Sequence, residues 1–385
     1  MANKQPPATP VDTDQADHDR RRLLGLAAGA GAAALLAGLG ASRPAAAQQP
    51  AGQAPPPPGA RPPPPPEPKF SQPPPLADLK GKTVYVTAAS DGIGLGIARA
   101  CSNAGMNVVI GYRNDRRLAA ALPLFNKGAP VFPVQHDVVG RDGWVKLLDA
   151  VKGKYGKLHC VVNNAGIKTF AKASETPQEV WQNSIDVDLG AIYHSVNVIL
   201  PHMKEHGEGG QFVATSSMSG LLPAVTAGVY TTLKFAVVGI MEALRIELEG
   251  TNIGTSVFCP GGVATDNYIG SGEENPYLKE LRASRPAPPP AAGGAPRFAN
   301  FAAAIMTPLE AGERVVNGIR NNDLFILSHP EFRGGMEERF NAILTSCPDE
   351  AAPAERYPIE LRTRHTGIYP REIAHRLERR STYRN

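Results

Sequence analysis

From Lys80 onward, short continuous apolar runs alternate with longer stretches that repeat at helical spacing. The runs fall at 82–87, 107–112, 130–135, 158–162, 211–216, 254–258 and 323–327. Each carries adjacent apolar residues rather than one at every second position, which predicts strands buried on both faces. Helical period marks 95–103, 179–204, 230–249, 308–320 and 333–344. This alternation predicts an α/β fold, a doubly wound parallel sheet with helices on both faces, in one domain over residues 76–346. A breaker-rich stretch at 266–301 interrupts it, with Pro286-Ala287-Pro288-Pro289-Pro290 and Gly293-Gly294 inside. A segment of that kind is expected to serve a site rather than a core.

The first 75 residues carry neither period. Arg20-Arg21-Arg22-Leu23-Leu24 precede a weakly apolar run at 25–41, and Ala45-Ala46-Ala47 follow. A basic head, an apolar run and a small-residue cleavage point are the parts of an export signal, and the paired arginines resemble a twin-arginine signal. Residues 1–47 are therefore expected to engage the twin-arginine translocase, giving a protein that folds in the cytoplasm and works in the periplasm or beyond. The alternatives are an uncleaved membrane anchor and a cytoplasmic protein with a plain tail. The run is short for a spanning helix and poor in Ile, Val and Phe. Residues 48–75 are dominated by Pro and predict an extended spacer. Residues 347–385, rich in Arg and Pro, form a basic extension of no assigned structure, either a solvated tail or a wrap around a neighbouring subunit.

The formal net charge is only +4 and no basic stripe stands out, which argues against a nucleic-acid partner. Cys101, Cys160 and Cys259 fall inside predicted core elements, and with Cys347 they lack metal-ligand spacing. Buried free thiols are expected, and no metal site.

Two stretches carry candidate chemistry. At the end of the first strand, Thr87-Ala88-Ala89-Ser90-Asp91-Gly92-Ile93-Gly94 leads straight into a helix. Strand, small-residue turn and helix form the context in which a dinucleotide pyrophosphate meets free backbone N–H groups. Farther on, Ser217 stands at the end of the fifth strand, and Tyr230 and Lys234 lie one helical turn apart. An ammonium beside a phenol favours phenolate, so Tyr230 is expected to titrate nearer neutrality and act as general acid or base. Taken alone, a Tyr and a Lys at this spacing are more often a plain helix surface.

Together with Asn163-Asn164-Ala165-Gly166 after the fourth strand and Pro260-Gly261-Gly262-Val263-Ala264-Thr265 after the sixth, these residues resemble the classical short-chain dehydrogenase/reductase family. The resemblance covers nearly all of 76–346 and implies a Rossmann fold. It implies that Tyr230 exchanges a proton, Lys234 tunes it and binds the nicotinamide ribose, and Ser217 orients the substrate oxygen. Thr87, Ser90, Gly92, Ile93 and Gly94 then cradle the cofactor, and Asp137 binds adenine. Asn164, Ala165 and Gly166 shape its wall, and Pro260, Gly261, Val263 and Thr265 close over its nicotinamide. The resemblance also implies a substrate lid at 266–301 and a homo-oligomer.

Three positions depart from the pattern. Ala88 replaces a glycine, tolerable if its φ is negative. Asp188 replaces an asparagine that holds a relay water; a carboxylate there can hold water too, or pair with Lys234 and partly cancel its field. Tyr112 stands where an acidic residue would bind the ribose of NAD, and Arg113 beside it suits a 2′-phosphate, so NADP is the expected cofactor, with NAD possible. Phe170, Met218, Leu221 and Leu222 flank the site and suggest an apolar pocket. Met306-Thr307-Pro308 through Ile326-Leu327-Ser328-His329-Pro330-Glu331 resembles a subgroup that includes bacterial dehydrogenases of lignin-derived benzylic alcohols. The expected activity is interconversion of a secondary alcohol and a carbonyl, on an aromatic or bulky apolar substrate, by an enzyme exported with its cofactor bound. The rival is a non-catalytic exported binding protein on the same fold.

Overall fold

The computed structural model describes residues 73–224, 227–265, 305–350, 353–356, 360 and 366–382. The expected signal, almost all of the spacer and the expected lid lie outside them.

Seven parallel strands form one sheet: β1 (Thr83–Val86), β2 (Asn107–Tyr112), β3 (Val131–Gln135), β4 (Cys160–Asn163), β5 (Gly210–Thr215), β6 (Ile253–Cys259) and β7 (Phe325–Leu327), ordered β3-β2-β1-β4-β5-β6-β7. The chain winds outward from β1 in one direction, then returns to β4 and winds in the other. The crevice between the ends of β1 and β4 is thus the switch point at which such sheets bind ligands. β1, β4, β5 and β6 are buried throughout, and among their polar side chains Gln211, Thr255 and Ser256 are hydrogen-bonded inside.

Helices α1 (Gly92–Asn103), α2 (Asp115–Ala121), α3 (Arg141–Tyr155), α4 (Gln178–Ile185), α5 (Ala191–His206), α6 (Gly228–Glu247) and α7 (Pro308–Asn321) accompany the sheet. One apolar cluster holds Trp144, Ile199, Phe212 and Met241; a second holds Ile97, Ile110, Phe258 and Val315. α1 and α7 pack backbone to backbone: a Cβ on Gly96 would overlap the Pro308 carbonyl, and one on Gly312 the Gly96 carbonyl. α7 starts where it does because Thr307 and Glu310 form a reciprocal cap with Pro308 in the first turn. Cys101, Cys160 and Cys259 are buried free thiols.

The predicted helix 179–204 is continuous but not uniform. A π-helical turn, Asp186–Gly190, joins α4 to α5. Past β7, α8 (Arg333–Thr345) is followed by α9 (Ile368–Thr382) in the stretch left without assigned structure. α9 lies against the edge of the sheet. Glu372 accepts the Leu324 N–H at 3.0 Å, Arg376 donates to the Phe325 carbonyl, and buried Asp323 pairs with His375 at 3.0 Å and Arg376 at 3.2 Å. Among the described residues, no helix is long and apolar enough to cross a membrane.

Candidate active site

The β1–α1 turn comes first. Thr87 is buried, and its hydroxyl accepts from the N–H groups of Asn164 (2.7 Å) and Ala165 (2.8 Å), tying the turn to the end of β4. Asn164 in turn accepts from Thr215 at 3.2 Å, so the second asparagine braces three strand ends. Ala88 takes φ +49°, so the condition of a negative φ is not met. A methyl in the left-handed region costs about 1–2 kcal/mol, and the neighbouring packing holds it there: the Ala89 N–H donates to the Gly111 carbonyl at 2.8 Å. Gly94 is required by contact, since its Cβ would fall 2.6 Å from the Asn164 amide.

Asp91 caps α1 through Gly92 N–H at 2.6 Å, and Arg117 neutralises the carboxylate from 3.1 Å. Helix geometry leaves the Ile93 and Gly94 N–H groups without intrahelical acceptors. These donors, the close glycine and the switch-point crevice fit a dinucleotide pyrophosphate. Ser90 stands half-buried beside them. On the far side of the crevice, Arg113 and Asp137 form a loose pair at 3.6 Å, with side chains 74% and 57% exposed.

The second cluster lies across the sheet. Ser217 opens a short 3₁₀ turn, with its hydroxyl accepting from Ser219 N–H at 3.1 Å. Gly220 lets that turn meet α6, for a Cβ there would collide with the Lys234 carbonyl. Tyr230 and Lys234 lie on α6, 9% and 5% exposed. The Lys234 ammonium donates to the Thr215 carbonyl at 3.2 Å, lies 5.5 Å from the Tyr230 ring centroid and pairs with Asp188 at 2.9 Å. Asp188 is 2% exposed and accepts from Ile167 N–H at 2.7 Å. The expected pairing of this carboxylate with Lys234 is thus present. Gly166 makes room for it: a Cβ there would sit 3.2 Å from both charged groups. Burial pulls the Lys234 pKa down, but the Asp188 carboxylate, then Tyr230, outweigh it, and the net shift is upward.

Phe170, 40% exposed, tilts against Tyr230 with centroids 5.1 Å apart. Met218 belongs to the core, and Leu221 and Leu222 are half-buried. Pro260 accepts from Met218 N–H at 2.9 Å. Val263 bridges to Met306, and the Thr265 methyl lies 3.2 Å from where a Gly92 Cβ would be. The loop 260–265 thus runs from the serine turn to the phosphate turn. His329, not singled out from sequence, grips it: its ring contacts Gly261 N at 3.0 Å and the Gly262 carbonyl at 3.1 Å.

The short chain dehydrogenase family model matches residues 82–275. A C alpha-dehydrogenase from Sphingobium sp. is 26% identical over 297 residues, covering 75% of this chain and 92% of that protein. An L-rhamnose 1-dehydrogenase (NAD(P)(+)) from Azotobacter vinelandii is 35% identical over 190 residues, 48% of this chain and 74% of its own. A short-chain dehydrogenase structure from Novosphingobium aromaticivorans superposes with a TM-score of 0.61 at 29% identity, covering 74% of this chain and 95% of that one.

Proposed function

The chain belongs to the short-chain dehydrogenase family, a family of nicotinamide-dinucleotide oxidoreductases acting on alcohol and carbonyl groups, and on that premise we propose an NADP(H)-dependent enzyme interconverting a secondary alcohol and a carbonyl. The observation that carries this reading is the buried Tyr230–Lys234–Asp188 cluster beside a dinucleotide-shaped crevice.

The dinucleotide, when bound, supplies or accepts the hydride. The remaining work falls to side chains. Ser217 holds the substrate oxygen. Tyr230 takes the hydroxyl proton in oxidation and returns it in reduction. Lys234, kept charged by Asp188, lies against Tyr230 and offers its ammonium to the nicotinamide ribose. Gly92, Ile93 and Gly94 take the pyrophosphate and Asp137 the adenine. Arg113 takes a 2′-phosphate, since its exposed partner releases it at little cost. Pro260, Gly261, Val263 and Thr265 cover the nicotinamide. The apolar face of Phe170 over Tyr230, and the C alpha-dehydrogenase among the relatives, favour an aromatic or bulky apolar substrate. The N-terminal sequence favours export through the twin-arginine translocase with cofactor already bound, and assembly as a homo-oligomer completes the proposal.

The deciding experiment is to purify the mature protein from the periplasmic fraction, denature it and identify released nucleotide by mass spectrometry. NADP or NADPH near one per chain is expected. A protein that is empty and binds neither nucleotide overturns the reading in favour of a non-catalytic binding protein. In parallel, Tyr230→Phe should lower turnover by roughly 10²–10⁴-fold while leaving nucleotide affinity in place.

A further inference from the structure

The structure assigns to His329 a positioning role: its imidazole splints the Pro260–Thr265 loop and so pre-sets the surface that receives the nicotinamide end of the cofactor. The inference rests on the functional reading above, in which that loop covers the nicotinamide.

A backbone amide can only donate, so the Gly261 N–H, 3.0 Å from His329 Nδ1, requires Nδ1 to be an acceptor. The ring proton is therefore on Nε2, where it is donated to the Gly262 carbonyl at 3.1 Å. The neighbouring Ser328 hydroxyl, 2.7 Å from Nδ1, donates to the same atom and fixes the ring's rotation. One imidazole thus clasps the Pro260–Gly261 and Gly262–Val263 peptide groups, one by acceptance and one by donation, and spans the peptide between them. The fit is close: a Cβ on Gly261 would fall 2.7 Å from His329 Cγ. Gly261 is a glycine because the ring occupies that space.

The clasp matters because of what lies on either side. Pro260 is held by Met218, next to Ser217, through a 2.9 Å hydrogen bond. Beyond it, Ala264 N–H donates to the Met306 carbonyl at 2.9 Å, and Thr265 reaches the phosphate turn at Gly92. Between those anchors stand only two glycines and Val263, and glycines have the most backbone freedom to lose. Without His329 the joint would have to be ordered when the dinucleotide binds, and affinity would fall by that cost.

The test uses the full chain as wild type, His329→Ala and His329→Asn, whose amide oxygen can still accept from Gly261. Hydrogen exchange at Gly261 and Gly262 is measured without nucleotide, NADPH dissociation constants by fluorescence titration, and Tm for each. His329→Ala is expected to lose amide protection at Gly261 and weaken NADPH roughly ten- to hundredfold, with KM for NADPH rising more than kcat falls. His329→Asn is expected to recover much of both. Unchanged exchange, or NADPH binding by His329→Ala equal to wild type, overturns the inference and leaves the functional reading standing. So does a loss in both variants that merely follows Tm. A wild type that binds neither NADPH nor NADH overturns the functional reading and this inference with it.

Discussion

Two ion pairs flank the crevice, and they differ in almost every physical respect. Arg113 and Asp137 meet at 3.6 Å with most of each side chain in water. Lys234 and Asp188 meet at 2.9 Å with almost none. Water screens the first pair to a contribution of about 0–1 kcal/mol, so it can open for a ligand without loss to the fold. The second pair has no water to fall back on, and removing either partner strands a charge. A family pattern written in residue types does not distinguish these cases. Burial does, and it leaves one pair free to open while it holds the other fixed in the interior.

The sharpest way to break this contrast is Asp188→Asn, which restores the residue the family pattern carries. It should lower unfolding free energy by about 3–5 kcal/mol, because Lys234 becomes a buried cation without a counter-charge. Adding Lys234→Met to that variant should restore most of the stability while leaving it inactive. If the double variant stays as unstable as the single one, the penalty is not a stranded charge. The pH dependence follows from the upward shift of Lys234. Its folded pKa exceeds the unfolded value of about 10.4, so the pair stabilises fully below that value and its contribution is lost as pH rises through the folded pKa. Without Asp188, burial leaves the folded Lys234 pKa below the unfolded value, so the gap between wild type and Asp188→Asn in denaturant titrations should be widest near pH 6 and narrow as pH rises through that lowered pKa.

Arg113→Ala should act on the opposite side of the comparison. Tm should stay unchanged, while the ratio of NADP to NAD affinity falls by about tenfold, the scale of one charge-assisted contact. A shift in Tm with no change in that ratio would mean Arg113 is structural after all. The smallest effect belongs to Ala88→Gly. Relief of the left-handed methyl is largely offset by the greater freedom of unfolded glycine, so stability should rise by less than about 1 kcal/mol. Chemical denaturation resolves this sign.

The fold was largely readable in the chain. Strands announce themselves by adjacent apolar residues between helical stretches, and all seven lie within two residues of the runs read from the chain. The grouping of Ser217, Tyr230 and Lys234 followed from spacing and strand order. Other features depend on contacts that spacing does not encode. The φ of Ala88 is set by its surroundings, not by a local signal. The π-helical turn that aims Asp188 at Lys234 hides inside an ordinary helical period. α9 was invisible because polar side chains hold it through Asp323, Leu324 and Phe325 rather than through a strong apolar stripe; the Glu372–Arg376 pair, one turn apart, was the available hint. His329 gave no sign, since its partners are peptide groups.

The edge of the sheet also imposes an order in time. Asp323 lies at the entry to β7, 3% exposed, and its partner His375 is 52 residues downstream. While the chain is being synthesised, β7 therefore emerges well before α9, which supplies His375 and Arg376 to that carboxylate and bonds part of the strand's backbone. Until α9 arrives, the outer edge of β7 lacks the partners that α9 gives it, and open strand edges are sticky to other chains. Covering the edge of the sheet is thus a late step, which waits on a helix some fifty residues further along the chain.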